Sequence, residues 1–150
     1  MGIEDLWTAD ITFFDAILRL CAAIVLSGAI GFEREWAGRA AGLRTHMMVG
    51  LASTLFTIIA FEMFSWIRSL EEQPAADPLR LLEAITAGVA FLAAGSIFRN
   101  EERVKGLTTG AGLWMCGAVG MAAGQGYLGL AALATAIAVA ILAIIRQFEP

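Results

Sequence analysis

Charged side chains inside apolar segments are the residues of this sequence best suited to do chemistry. The set is Asp15, Arg19, Glu62, Arg80 and Glu83. If the apolar segments are membrane helices, such charges are costly unless they face protein or water, so they mark a candidate site. Asp15 and Arg19 are four residues apart and share one helix face. Two interpretations stay open: a charge-neutralising structural network, or a water-accessible site for a cation or proton.

Carboxylate oxygens are the only candidate metal ligands in this charged set, which favours a hard cation. Mg²⁺ binds through one or two carboxylates and keeps much of its water, so it is the one candidate cofactor, although no ligand set can be assigned. His46 is the only histidine, which leaves no classical zinc site and no Ser-His-Asp triad. The sequence also lacks a Walker-type loop and a dinucleotide-binding turn. We therefore predict that the protein is not an enzyme.

A second polar set flanks the ends of the first, second and fourth apolar runs. It consists of Glu33, Arg34, Arg44, Thr45, His46, Arg103, Thr108 and Thr109. Thr108 is predicted to cap the fourth helix, whose amino terminus would favour anions. The set can be an ion-paired lock between helix ends, or it can be basic anchoring combined with ordinary helix capping.

The composition indicates which medium surrounds these residues. The chain has 150 residues, of which 59% are hydrophobic, and its mean hydropathy is +0.74. Soluble domains are about 45–50% apolar, and a domain this short could not bury so much apolar surface. The net charge of −4 argues against nucleic acid as a partner. We predict a multi-pass membrane protein with lipid around it.

Five apolar runs approach the roughly 20 residues that a helix needs to cross a bilayer. They are predicted at about 11–32, 45–67, 79–98, 108–124 and 127–145. The predicted fold class is all-α, a bundle of five transmembrane spans forming one domain over residues 1–150. Only Gly124-Gln125-Gly126 separates the last two runs, so one re-entrant segment is the alternative there.

Basic residues predict the direction of the spans, because cytoplasmic loops are enriched in lysine and arginine. Most of them follow the first, third and fifth runs: Arg34, Arg39, Arg44, Arg99, Arg103, Lys105 and Arg146. Arg68 and Arg80 lie between the second and third runs, next to several acids. We predict an outside amino terminus and a cytoplasmic carboxyl terminus. The charged set then lies near the outer face and the second polar set at the cytoplasmic face.

Small residues predict where the helices touch, because lipid supplies no hydrophobic drive between them. The candidate packing glycines are Gly31, Gly88, Gly112, Gly120 and Gly124. Stripes of this length favour a tight bundle or a helix-mediated homodimer.

Several blocks resemble the MgtC/SapB family of membrane proteins. They are the segments 28–35 (GAIGFERE), 41–46 (AGLRTH), 77–80 (DPLR), 88–95 (GVAFLAAG) and 104–109 (VKGLTT), in family order. Two departures are Ala90 and Ala93, where the family usually has glycine. Many members also carry a soluble cytoplasmic domain after the last span, and we expect this chain to consist of the transmembrane domain alone.

The resemblance implies a bacterial inner-membrane protein linked to Mg²⁺ limitation and, in pathogens, to survival inside macrophages. It further implies a modulator of other membrane proteins, including ATP synthase. We therefore expect a non-enzymatic regulator that binds another membrane protein. The alternative is a small cation transporter or channel, for Mg²⁺ or coupled to protons, and the carboxylates of the charged set motivate it.

Overall fold

The computed structural model describes residues 10–70, 77–100 and 103–146, most of them helical. The helices are α1 (Phe13–Trp36), α2 (Leu43–Arg68), α3 (Pro78–Gly95), α4 (Leu107–Gly124) and α5 (Leu128–Arg146). Between α3 and α4, strands β1 (Phe98–Asn100) and β2 (Arg103–Lys105) pair antiparallel, with Phe98 opposite Lys105. The prediction of a helical protein is confirmed. The short hairpin is an addition that apolar periodicity does not predict.

Local side-chain bonds explain where two of the helices begin. Thr12 caps α1, because its hydroxyl accepts from the N–H of Asp15 at 3.2 Å and donates to the Asp15 carboxylate at 2.8 Å. Asp77 caps α3 by accepting from the N–H of Leu79 at 2.9 Å. Pro78 follows in the first turn, where its missing N–H leaves no helical bond unmade.

Two predicted helix ends differ from the structure. Helix α1 continues to Trp36 rather than ending near residue 32, so Glu33 and Arg34 are helical. Helix α3 ends at Gly95, and the predicted end at 98 falls in β1. The apolar run continues through Ile97 and Phe98, and hydropathy alone does not separate a helix end from a short strand.

The predicted cap of α4 by Thr108 is wrong. Gly106 occupies the cap position with φ +90° and ψ 0°, and no side-chain bond caps the helix. This left-handed conformation suits glycine, and a Cβ there would also overlap the carbonyl oxygen of Ser96. Thr108 lies instead inside the first turn, with an exposed side chain. The tight turn from β2 into α4 leaves no residue with a side chain at the cap.

Helix α4 lies at the centre and contacts each of the other four helices. Its glycines face two neighbours. A Cβ on Gly124 would lie 2.7 Å from the Cβ of Thr57 in α2, and one on Gly117 would lie 3.1 Å from the side chain of Val89 in α3. Distances this short leave no room for a larger residue, so the small residues of α4 set its separation from both helices.

The predicted packing glycines fall into two groups. Gly31, Gly112, Gly120 and Gly124 all meet a neighbouring helix. Gly88 departs from this pattern, because no described atom lies within 4 Å of the position its Cβ would take. Helix α3 contacts α4 through Val89 and the backbone at Ala93, which turns Gly88 away from that contact.

Helices α1 and α2, with 24 and 26 residues, are long and apolar enough to cross a membrane. Shorter apolar stretches, Leu82–Gly95 and Leu128–Ile144, occupy most of α3 and α5. Large apolar side chains point out of the bundle, including Phe14 and Phe91, which are 75% and 80% exposed. That all five helices cross the membrane stays a prediction, as does their direction.

We expect Gly120→Ala to destabilise the bundle, because the added methyl group would overlap the backbone carbonyl of Gly50. Overpacking of this kind costs about 1–3 kcal/mol. The matched control is Gly129→Ala in α5, where no described atom lies within 4 Å and alanine should be neutral or stabilising. Thermal unfolding of both variants in detergent measures the difference. Equal melting temperatures would refute the tight contact.

Candidate functional site

A line of buried polar side chains runs through the interface of α1, α2 and α4. We call it the polar seam, and it consists of Glu33, Arg34, His46, Ser27, Ser53, Thr54 and Thr57. Along α2 it extends from His46 to Thr57, a rise of about 16 Å at 1.5 Å per residue. In an apolar bundle each buried polar group needs a partner, so their hydrogen bonds indicate what the seam can do.

One end of the seam is an ion pair. The Arg34 guanidinium contacts the Glu33 carboxylate, and the two residues are 2% and 8% exposed. A buried charge without a counter-charge is strongly unfavourable, so each residue makes the burial of the other possible. This contact joins two neighbours on α1 and does not bridge helix ends.

His46, next along the seam, is fully buried between α1 and α4. Its Nδ1 lies 2.8 Å from the carbonyl oxygen of Gly42, which can only accept, so Nδ1 carries the proton and Nε2 is the free acceptor. Among the described residues Nε2 has no hydrogen-bond partner, and it faces Gly112, where a Cβ would lie 3.0 Å away. The glycines Gly31 and Gly112 thus make the space that the imidazole ring fills.

Backbone carbonyl oxygens accept hydrogen bonds from the threonine hydroxyls in the middle of the seam. Thr54 Oγ1 bonds the carbonyl oxygens of Gly50 at 2.9 Å and Gly120 at 2.8 Å, which links α2 to α4. Thr57 donates to the carbonyl of Ser53 at 2.7 Å. These bonds satisfy both threonine hydroxyls, and the bond to Gly120 joins two helices. The buried hydroxyl of Ser27 has no hydrogen-bond partner among the described residues.

A small polar pocket of about 180 Å³ lies at the far end of the seam. Its lining includes Arg19, Glu62, Gln125 and Tyr127. Arg19 donates to the carbonyl of Gly124 at 2.7 Å. Glu62 accepts from the backbone N–H groups of residues 10 and 11, at 2.6 and 2.9 Å. Both of its carboxylate oxygens therefore hold the start of the described chain against α2.

The structure brings together two of the five predicted intramembrane charges. Arg19 and Glu62 share the pocket, Asp15 accepts a hydrogen bond from the cap residue Thr12, and Arg80 and Glu83 are exposed on α3. Within the described segments, no three His, Cys, Asp or Glu residues are grouped as metal ligands. The lining of the pocket offers a Mg²⁺ ion one carboxylate, Glu62, beside the Arg19 guanidinium, whose positive charge disfavours a cation there.

The residues of the second polar set predicted from the sequence differ in their burial. Glu33, Arg34, His46 and Thr109 are buried, whereas Arg44, Thr45 and Thr108 are exposed. Arg103 begins β2, and its side chain lies outside the described part of the structure. The hydroxyl residues of the seam are functional candidates that sequence reasoning missed. On α2, Ser53, Thr54 and Thr57 continue the helical spacing of His46 and Gly50, and this stripe could have revealed them.

We expect Glu33→Gln to destabilise the protein by about 3–5 kcal/mol, because it leaves the Arg34 charge buried without its counter-charge. The double variant Glu33→Gln/Arg34→Gln removes both charges and should recover much of that loss. Thermal unfolding in detergent compares the two with the unmodified protein. A double variant no more stable than Glu33→Gln would show that the charges do not depend on each other.

Comparisons with known proteins agree with the resemblance. The sequence matches the MgtC family over residues 20–150. YhiD of Escherichia coli (strain K12), whose name describes it provisionally as a magnesium transporter, is 37% identical over 131 residues. That match covers 87% of this chain and 60% of YhiD. Protein MgtC of Brucella abortus (strain 2308) is 39% identical over 127 residues, which is 85% of this chain and 50% of the relative.

The chain thus spans between half and three-fifths of the length of these relatives. No solved structure matches it. The family match covers most of the chain, including all five helices except the start of α1, and α1 and α2 have the length and composition of membrane spans. The chain is a membrane protein that belongs to the MgtC family.

Proposed function

We propose that the chain is a five-span protein of the bacterial inner membrane that serves Mg²⁺ homeostasis by regulating another membrane protein. Membership of the MgtC family and the name of YhiD support the link to Mg²⁺. The regulatory part of the proposal rests on how the polar seam uses its side chains. We further propose that the protein acts as a homodimer and without catalysing a reaction.

The closed polar seam is the observation that carries the regulatory role. An ion that crosses a bundle needs a line of groups free to replace its water. Here Thr54 and Thr57 donate to carbonyl oxygens, and Gly120 and Gly124 bring the backbone of α4 against α2. Such an interface suits a rigid body that presents its outer surface to a partner.

The placement of the carboxylates also supports the regulatory role. Asp15 is engaged with Thr12 at the start of α1, and Glu62 binds two backbone N–H groups. These acids stabilise chain ends and helix ends. A transport site would need them converged on a space that an ion can enter.

A cation transporter is the second candidate. The name of YhiD favours it, and the pocket beside Arg19 and Glu62 supplies a polar recess with a carboxylate. In this candidate, Glu62 would have to release the backbone N–H groups that it binds in order to contact a cation.

Ion flux separates the two candidates. We expect Mg²⁺ entry into liposomes that hold the purified protein to equal entry into protein-free liposomes, because the seam offers no path. Proton flux, followed with a pH-sensitive dye in the same vesicles, should also stay at background. A Mg²⁺ flux that Glu62→Gln abolishes would overturn the regulator and establish the transporter. The matched control is Glu83→Gln, an exposed acid outside the pocket.

Labelling of single cysteines tests the five spans and their direction. In a background without Cys21 and Cys116, we expect Ser69→Cys, between α2 and α3, to react with a membrane-impermeant maleimide in intact cells. Ala40→Cys, between α1 and α2, should react only after the membrane is opened. Both positions are exposed, so differences in burial do not decide the result. The reverse pattern would show the opposite direction, and reaction of both in intact cells would exclude a crossing by α2.

A further inference from the structure

The pocket at the far end of the polar seam holds two opposite charges that do not pair with each other. Arg19 of α1 and Glu62 of α2 both line this space of about 180 Å³, and both are half-buried. Within the described part of the chain, neither side chain forms an ion pair. Opposite charges attract strongly in a partly buried space when they touch. Their separation therefore leaves both charges available to a third group.

Both charged groups keep hydrogen-bonding capacity that the protein does not use. Arg19 uses one guanidinium N–H to bond the carbonyl oxygen of Gly124 at 2.7 Å, and its other N–H groups have no partner among the described residues. Each oxygen of Glu62 accepts one backbone N–H, from residue 10 or 11, which leaves a lone pair on each oxygen. Paired guanidinium donors suit an acid group, and the carboxylate, already held in place, suits an ammonium.

Gln125 and Tyr127, from the turn between α4 and α5, complete the polar lining of the pocket. Their side chains make no hydrogen bond to any described residue, although an amide and a phenol can each donate and accept. Ile11, Ile58 and Phe61 are among the apolar residues of the lining. Polar side chains that line one space without bonding one another indicate a site filled by solvent or a ligand.

The size and the charge of the pocket define the class of ligand. At roughly 30 Å³ for a water-sized group, the space holds about six such groups. The charges of its lining sum to zero, so a ligand with a net charge would leave one of them unbalanced. A phosphate monoester, with a charge of about −1.5 to −2, has this disadvantage. A small α-amino acid has one carboxylate, one ammonium and a matching size.

We propose that this pocket binds a small free α-amino acid, with its carboxylate at Arg19 and its ammonium at Glu62. The ligand bridges α1 and α2, and it lies beside the turn between α4 and α5. On the predicted direction of the helices, the pocket opens toward the outer side of the membrane, so the amino acid enters from that side. The site goes beyond the proposed function, because it requires neither the regulator nor the transporter.

Ligand analogues test the need for both charges on the unmodified protein. Propionate is alanine without the ammonium, and ethylamine is alanine without the carboxylate. Isothermal titration calorimetry of the full chain in detergent measures the binding of each compound. We expect alanine to bind at least about tenfold more tightly than either analogue, because a lost hydrogen bond to a charged group is worth roughly that factor. Equally tight binding of propionate or ethylamine would overturn the proposal. Absence of saturable binding of both glycine and alanine would leave only water in the pocket and would overturn it too.

A pair of variants connects the ligand to the pocket. Glu62→Gln removes the partner of the ammonium and should weaken alanine binding about tenfold. Glu83→Gln, which changes an exposed acid outside the pocket, should leave alanine binding unchanged. The melting temperature without ligand shows whether each variant is folded, and the analogue series remains decisive if Glu62→Gln is not. Equal alanine binding by both folded variants would exclude this site.

A lipid headgroup is the other source of the same two charges. Phosphatidylethanolamine carries one phosphate and one primary ammonium, and it is titrated in parallel by native mass spectrometry. We expect alanine to bind in the absence of this lipid and to raise the melting temperature, because a ligand that binds only the folded protein stabilises it. Retention of the lipid together with no binding of alanine would assign the pocket to a headgroup and overturn the amino acid.

Discussion

The close approach of α4 to α2 controls the rest of this structure. Gly120 and Gly124 remove the side chains that would hold the two backbones apart, and Thr54 then reaches the carbonyl of Gly120 across the interface. This close approach matters more in a membrane than in water. Lipid tails cover an apolar surface as favourably as another helix does, so helices associate through close packing and hydrogen bonds. Each contact depends on a small residue on one helix and a polar or small residue on the other. The interface therefore tolerates little change in either partner.

The same close packing explains where polar side chains can be buried. His46 fits between Gly31 and Gly112, and Ser27 fits against Gly50, so glycines on one helix create space for polar groups on the next. Because the interface is narrow, the Thr54 hydroxyl reaches a carbonyl oxygen of α4, and the Glu33–Arg34 pair lies at one end of the seam. The result is a buried seam in which most side-chain bonds are local to one helix and the bond from Thr54 to Gly120 joins α2 to α4. This use of polar residues underlies our preference for a regulator over a transporter.

The packing of α4 also determines what α3 presents to the membrane. The side chain of Val89 packs against Gly117, and the backbone at Ala93 packs against Gly110, so one face of α3 contacts α4. Gly88 consequently faces an open apolar groove between α2 and α3. The packing of α3 and the open groove beside it thus depend on the same central helix. The relatives extend beyond the length matched here, so further regulation can reside in segments outside it.

Much of the fold follows from the sequence alone. The apolar composition predicted a membrane protein, the apolar runs located five helices to within a few residues, and the family blocks predicted the MgtC family. The spacing of Gly112, Gly120 and Gly124 also indicated a packing face. Periodicity can do this because it determines which residues share one side of a helix. It does not determine which neighbour that side meets, since the rotation of each helix depends on contacts distant in sequence. For that reason only the tertiary structure separated Arg19 and Glu62 from Arg80 and Glu83 and turned Gly88 away from the core. It also placed Gly106 rather than Thr108 at the start of α4. The alignment of the buried hydroxyls between α1, α2 and α4 was likewise decided only by the tertiary structure.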